Sequence, residues 1–407
     1  MTAPSHIGDE LGQGRSSSRY PLVELAGRAT IQSGFPFKSS TWRESGIPVV
    51  KIANVKQGRV DREGLGYVDE LTAGEAKAFA LAQGDVLIAM TGYVGEAAMV
   101  SESDLPLLLN QRVGRCNIVS ADLDLKFLYF ALTSPSGRKQ LENLAQGSAQ
   151  PNLSTKDFGL VEIPLPPLPE QRAIAEVLGA LDDKIESNRR IVSLCEVLAH
   201  AFSIGLRNLP RAPLSEVASV SRVTENPTQF GDSPVDHFSI PAFDAGGSPE
   251  KIAASQIKSG KLRVKQRSVL VSRLNPGTPR VWVMAPDESP ALCSTEFLVL
   301  SPLDNDSIGG VWLAVLGDEF TESMERRATG TSFSHQRIKQ GDALTVQVRD
   351  IRLADRQLLA QADALLMEVI QQRAEIALLA QLRDTLLPAL LSGRIRVPAA
   401  AELVEAP

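Results

Sequence analysis

"IPLPPLPEQRAIAEVLGALDDKIESNRR", Ile163 to Arg190, decides how this chain is built. Pro164, Pro166, Pro167 and Pro169 stiffen the end of a strand-like run, after which proline disappears and an apolar period of a helix takes over. Pro169 suits the first helical position, where its missing N–H leaves no bond unmade, and Glu170 suits the positive end of the helix dipole. Steps of three and four then mark Leu178, Leu181, Ile185, Asn188, Val192, Cys195, Ala199 and Phe202. That seam predicts a helix of roughly 38 residues, on the order of 57 Å long, more than one globular domain needs.

The arrangement recurs. "AQGSAQPNLSTKDFGLVEIPL" (Ala145 to Leu165) aligns with "ATGTSFSHQRIKQGDALTVQV" (Ala328 to Val348), Gly147 falling opposite Gly330. "EQRAIAEVLGALDDKIESNRR" then aligns with "ADRQLLAQADALLMEVIQQRA", Arg172 falling opposite Arg356, so the two offsets agree to within one residue. The second helix has its own seam: Leu358, Ala362, Leu365, Val369, Gln372, Ile376, Leu379, Arg383, Leu386 and Leu390. A polar residue, Asn188 or Gln372, sits at the equivalent place in each; a lone polar seam residue costs stability and fixes register. The register set is therefore Leu181, Ile185, Asn188 and Val192 against Leu365, Val369, Gln372 and Ile376.

Chain order gives the organisation. The first helix feeds the second globular part and the second helix leaves that same part, so the two helices are predicted to run antiparallel. The expected fold is mixed α/β: two globular domains separated by two long antiparallel coiled-coil helices, a pseudo-two-fold internal repeat. The predicted segments are a leader at 1–19, a first globular domain at 20–165, a helix at 166–207, a second globular domain at 208–350, a second helix at 351–397 and a tail at 398–407. Short β-rich runs bounded by Gly, Pro, Asn or Ser fill the globular parts: "GIPVVKIANV", "GDVLIAMTG" and "GRCNIVS", then "RSVLVSRL", "RVWVMA" and "STEFLVL". "TAGEAKAFAL" and "LKFLYFALTSPSGRKQLENLA" read as helices. Strand order is not legible.

With 43% hydrophobic residues among 407, the chain can bury two or three cores. No run of 18 apolar residues occurs and the opening lacks the layout of a secretory signal, so a cytoplasmic protein without a membrane span is expected. Cys116, Cys195 and Cys293 lie far apart, which argues against a disulfide framework or a zinc site. The net charge of −6 does not advertise nucleic-acid binding. Yet from Lys251 through Pro286 the only ionised side chains are Lys251, Lys258, Lys261, Arg263, Lys265, Arg267, Arg273 and Arg280, and a counterion-releasing surface needs such local concentration.

Catalytic signatures are missing. "SQIKSGKL" has Ser255 where a phosphate-cradling loop needs its first Gly, no G-x-G-x-x-G follows a strand, and no Asn/Asp-Pro-Pro-aromatic run occurs. Asp69, Glu75 and Lys77 read as an exposed helix face, and His6, His200, His237 and His335 are dispersed. No catalytic residue and no metal ligand is expected. The loops offer recognition chemistry instead. "MTGYVG" (Met90 to Gly95) supplies Thr91 and Tyr93, and "SRLNPGTPR" (Ser272 to Arg280) supplies Arg273, Asn275 and Arg280. "LNQRVGR" adds Gln111 and Arg112; "GTSFSHQR" adds Ser332, His335, Gln336 and Arg337; the cationic stretch adds Lys261, Arg263 and Lys265. Arg matches guanine edges, Asn or Gln matches adenine, and Ser, Thr and Lys favour phosphates. The set favours a DNA reader over a catalyst; the alternative is a coiled-coil adaptor with two protein-binding heads.

From about Tyr20 to Val397 the chain resembles the specificity subunit of type I restriction–modification systems. The likeness is carried by "PLPPLPEQRAIAEVLGALDDKIESNRR" and "LRDTLLPALLSGRIRV", with "GIPVVKIANV", "GDVLIAMTG", "LNQRVGR", "QGSAQPNLS", "HFSIPAFDAG" and "VLVSRLNPGTPRVW" in support. "IRLADRQLLAQ" departs from the first hinge, "LPPLPEQRAIAE". The resemblance implies two target-recognition domains, each reading one half of a split, asymmetric sequence in double-stranded DNA while the helices set the gap. It also implies two methyltransferase subunits that carry S-adenosylmethionine and modify adenines, and two restriction subunits driven by ATP with Mg. No cofactor is then expected in this chain.

Overall fold

The computed structural model describes residues 18–56, 58–145, 152–286, 289–303, 307–330 and 336–398. Contacts divide the chain into two units, Met1–Asp182 with Gln381–Pro407, and Asp183–Ala380. Two long helices, Leu168–Gly205 and Arg356–Leu391, each contribute to both. Among the described residues no helix is long and apolar enough to cross a membrane.

The two units share a strand plan. In the first, Leu22–Glu24 pairs antiparallel with Glu162–Pro164, closing the globular part at its hinge. Arg211–Pro213 pairs with Gln347–Arg349 in the same way in the second. The order Ala29–Ser33, Val113–Ile118, Val86–Ala89, Ala97–Met99, antiparallel throughout, returns as Ala218–Val220, Phe297–Pro302, Ser268–Ser272, Val281–Met284. Leu108–Leu109 runs parallel to Ile47–Val50, itself antiparallel to Gly66–Val68. Ala291–Cys293, Pro234–Phe238 and Glu250–Ala253 repeat that trio. Differences lie at the margins. The first unit adds Gly58–Val60 and Val55–Lys56 beyond Ala97–Met99, whereas the second adds Lys261–Val264 and Thr224–Glu225 beyond Ala291–Cys293.

The predicted helix beginning at Leu125 is two helices, Leu125–Thr133 and Pro135–Leu144. Ser134 ends the first, accepts from the Gly137 amide on its hydroxyl at 3.1 Å, and hands over to Pro135, which can open a helix but not sit inside one. Gly317 divides Ile308–Leu316 from Asp318–Arg326 at the matching place. The stretch around Glu75 is helical only over Glu70–Glu75, with a 3-10 turn at Lys77–Phe79. Asp69 caps it, accepting from the Thr72 amide at 2.9 Å while pairing with Arg43 at 2.8 Å.

The first seam is as expected on its inner face. Leu178, Leu181, Ile185, Asn188, Cys195 and Ala199 are buried, and Val192 and Phe202 half-buried. In the second helix Ala362, Val369, Gln372, Leu386 and Leu390 are buried, but Leu366 takes the fully buried place expected for Leu365, which is half-buried like Ile376. A straight helix turns every 3.6 residues and drifts by about 20° per heptad from a strict seven-residue repeat, enough to bring the neighbouring leucine inward. Cross-pairs fix the direction. In the second unit Lys184 meets Glu375 at 3.3 Å and Glu196 meets Arg373 at 2.7 Å, partner numbers falling as the first helix advances, so the helices are antiparallel. In the first unit Arg383, the cation within the predicted seam, bonds Asp182 at 2.9 Å.

Each hinge is held by different chemistry. Gln171 is fully buried; its carbonyl accepts from the Asp124 amide at 2.9 Å and its amide donates to the Asp122 and Pro166 carbonyls at 2.7 and 2.9 Å. Tyr20 donates to Glu170 at 2.5 Å. The divergent second hinge relies on ions: Arg352 bonds both oxygens of Asp350 at 2.7 and 2.8 Å and reaches Glu216 at 3.4 Å.

Two substitutions separate buried polar groups that are satisfied from those that are not. Gln171→Ala strands three hydrogen-bonding groups and is expected to lower unfolding stability by about 2–3 kcal/mol. Asn188 is fully buried and neither side-chain polar atom has a hydrogen-bond partner among the described residues. Asn188→Leu is therefore expected to raise stability by about 1 kcal/mol. Chemical denaturation of both variants checks the pair; a lower midpoint for Asn188→Leu would contradict the burial argument.

Candidate nucleic-acid interface

In the first unit three loops meet where the strand Val86–Ala89 ends. The Met90 amide donates to the Arg112 carbonyl at 3.1 Å, the Leu153 amide donates to the Met90 carbonyl at 2.8 Å, and Thr91 forms a bridge with Asn152. Gly92 and Gly95 have φ of +73° and +97°, the left-handed region that lets the Met90–Gly95 loop turn sharply. Asn110 steadies the second loop by accepting from the Arg112 amide at 3.2 Å. Thr91, Tyr93, Gln111 and Arg112 are thus brought together. Tyr93 and Arg112 are exposed, and the Thr91 hydroxyl and Gln111 carbonyl are buried without a partner among the described residues.

The second unit repeats this junction bond for bond. The Arg273 amide donates to the Glu296 carbonyl at 2.7 Å, the Ile338 amide donates to the Arg273 carbonyl at 3.1 Å, and Leu274 bridges Arg337. Arg273, Asn275, Gln336 and Arg337 gather here. The Asn275 amide donates to the Gln336 carbonyl at 2.8 Å, and Asn275 holds φ of 49°, a left-handed conformation that asparagine tolerates. Ser332 and His335 lie outside the described residues.

Several expected contact groups are engaged inside the protein. Arg273 donates to the main-chain carbonyls of Thr295 and Ile338 and so ties the loops. Burial pulls its guanidinium down from the usual arginine range, Glu296 working against that shift and Arg337 with it. Arg280 grips the Asp244 carboxylate at 2.6 and 3.0 Å, and only 13% of its side chain is exposed, so it clamps its loop to the helix Ile240–Asp244 rather than reaching outward. Arg263 lies 3.8 Å from Glu225 with its guanidinium 5.3 Å from the Phe230 ring centre. Lys261 bonds the Ser259 hydroxyl at 2.6 Å, and burial lowers its ammonium. Both stand on Lys261–Val264, in the other sheet from the Arg273 loop. The one-signed stretch is therefore not one cationic face, because acids from elsewhere in the unit meet Arg263 and Arg280. Lys251, Lys258, Lys265 and Arg267 remain exposed.

Sequence reasoning missed Asp244 and Glu296, whose roles lie in contacts 36 and 41 residues away, beyond any local signal. Burial pushes the Cys116 thiol up to about 12 and also raises those of Cys195 and Cys293.

The Arg280 clamp is testable. A double-mutant cycle of Arg280→Ala and Asp244→Ala is expected to give a coupling of about 0.5–1 kcal/mol, modest because the carboxylate is half exposed. Strictly additive losses would show that the pair is not coupled.

Known proteins share both the sequence and the fold. Residues 22–194 match the family described as the type I restriction modification DNA specificity domain. The MjaVIII specificity subunit of Methanocaldococcus jannaschii is 34% identical over 175 residues, 42% of this chain and 41% of that protein. The EcoBI specificity subunit of Escherichia coli is 29% identical over 179 residues, 43% of this chain and 35% of that protein. The chain thus matches less than half the length of each of these relatives. The S subunit of a type I restriction–modification system from M. genitalium has the same fold, with a TM-score of 0.58 at 16% identity over 93% of this chain and 98% of that one. Residues 22–194 thus match the type I restriction modification DNA specificity domain, and the chain shares the fold of a solved type I S subunit.

Proposed function

We propose that this chain is the DNA-sequence reader of a type I restriction–modification assembly. Each unit reads one half of a split, asymmetric target in double-stranded DNA, and the long helices set the gap and dock two adenine methyltransferase subunits. The duplicated loop junction carries this reading: one backbone frame occurs twice, bearing Thr91, Tyr93, Gln111 and Arg112 in one copy and Asn275, Gln336 and Arg337 in the other. Two frames of one plan with different side chains are what two different short DNA words require.

The methyl transfer and cleavage belong to other chains. S-adenosylmethionine would sit in the methyltransferase subunits, ATP and Mg in two restriction subunits, and the whole would work in the cytoplasm. Support for docking comes from the outer face of the first long helix. Leu194, Val197, Leu198 and Ile204 form an exposed apolar stripe there, with Leu194 at 63% and Val197 at 62% exposure, away from the buried Cys195 and Ala199. A helical partner surface of matching chemistry would cover it.

Two experiments test the reading. Methylated adenines mapped genome-wide, in cells with and without this gene, are expected to show a split motif only when the gene is present; no such motif would overturn it, and an adaptor with protein-binding heads would take its place. Leu194→Glu with Leu198→Glu is expected to lower co-purification with the methyltransferase at least tenfold while leaving the melting transition of the isolated chain in place. Undiminished co-purification would remove the stripe from the docking surface.

A further inference from the structure

We propose that Glu296 and Arg337 form a base-reading pair in the second unit, Arg337 contacting the major-groove edge of a guanine and Glu296 positioning its guanidinium. The inference rests on the DNA-reading function above and assigns one base contact within it.

Arg337 is fixed at its backbone and open at its tip. Its amide donates to the Thr329 carbonyl at 3.0 Å, its carbonyl accepts from the Thr329 amide at 2.9 Å, and it forms a second bridge with Leu274. The side chain is 54% exposed, and one Nη2 donor bonds Glu296 Oε1 at 2.7 Å. That bond uses one of five guanidinium donors and restrains the plane of the group, leaving further N–H groups to face a ligand. Glu296 is mostly buried at 23% exposure, and its Oε2 has no hydrogen-bond partner among the described residues. Arg273 stands beside the pair but is tied to the carbonyls of Thr295 and Ile338. It lends charge without being free to reach.

The other unit supplies the control. Met90, Arg112 and Asn152 occupy, on the same hydrogen-bonded frame, the places of Arg273, Glu296 and Arg337. The backbone bonds are kept and all three side chains differ, with the sign reversed between Arg112 and Glu296. The frame therefore forms without the pair, and the pair adds something other than the loop's shape. A guanidinium held from behind by a carboxylate presents parallel donors to the O6 and N7 acceptors of guanine. The carboxylate itself repels phosphate, which disfavours a backbone contact at this point and favours a base edge.

The test uses the full chain assembled with its methyltransferase, reading the methylated motif genome-wide and binding to a duplex library at several salt concentrations. Arg337→Ala is expected to erase the preference for one guanine in one half-site, by about 10–100-fold, with the other half-site and the gap unchanged. Arg337→Gln, which should fold more readily, is expected to move that preference toward adenine. Glu296→Ala is expected to weaken the same preference, and Glu296→Gln, which keeps an acceptor for Arg337, to retain part of it. An unchanged motif in folded Arg337→Ala or Arg337→Gln overturns the pair while leaving the DNA-reading function standing. Uniformly weaker binding across all sequences, with a shallower salt dependence, also overturns it, since that is the signature of a phosphate contact. Absence of a split motif with the unaltered chain would instead overturn the function on which the inference rests.

Discussion

A buried seam running along two long helices is the constraint on which the rest depends. Each helix starts at the hinge of one globular part, and each unit contains a stretch of both. In the second unit Cys195 and Ala199 from one helix and Ala362, Leu366 and Val369 from the other join a single core with Val269, Val271 and the helix Ile308–Leu316. Close approach is required there: a side chain on Gly309 would begin 2.4 Å from the backbone of Ala362 and Asp363, and the Gly309 amide donates to Asp363 at 2.6 Å. In that unit the helices are thus part of the globular core and not a loose tether. Along that seam Asn188 buries both side-chain polar atoms, and Gln372 its side-chain oxygen, without a hydrogen-bond partner among the described residues.

The loop junctions show how duplication leaves room for divergence. Main-chain bonds from Met90 and Leu153, and from Arg273 and Ile338, set the frame and do not depend on side-chain identity. Side chains on such a frame can change freely, and here they have changed even in charge. Local chemistry then separates residues that hold the frame, such as Arg280 on Asp244, from residues that project from it, such as Tyr93 and Arg337.

Much of the architecture was legible because its signals are periodic. Proline clustering at Pro164–Pro169 marked the first hinge, steps of three and four marked both helices, and the Arg172/Arg356 offset marked the repeat; Gly147 lies outside the described residues, and the hinge strands set Ile163 against Val348, two residues from the match read in the sequence. The shift from Leu365 to Leu366 escaped because a seam read at 3.5 residues per turn drifts on a helix that turns at 3.6. Strand order escaped because strands of two to six residues pair across long separations, as Leu22 does with Pro164. The break at Ser134 was written in Pro135 but masked by the apolar run around it. Side-chain engagement was illegible altogether: nothing in "SRLNPGTPR" reveals that Arg280 is held by Asp244 while Arg337, 57 residues further on, stays exposed.

The most direct measurement of the central claim is a matched deletion of one heptad from each long helix, in an assembly that still forms and methylates, followed by mapping of its target. If the helices set the distance between the two DNA words, both words persist and the gap between them shortens. The same gap after the deletion would contradict the claim.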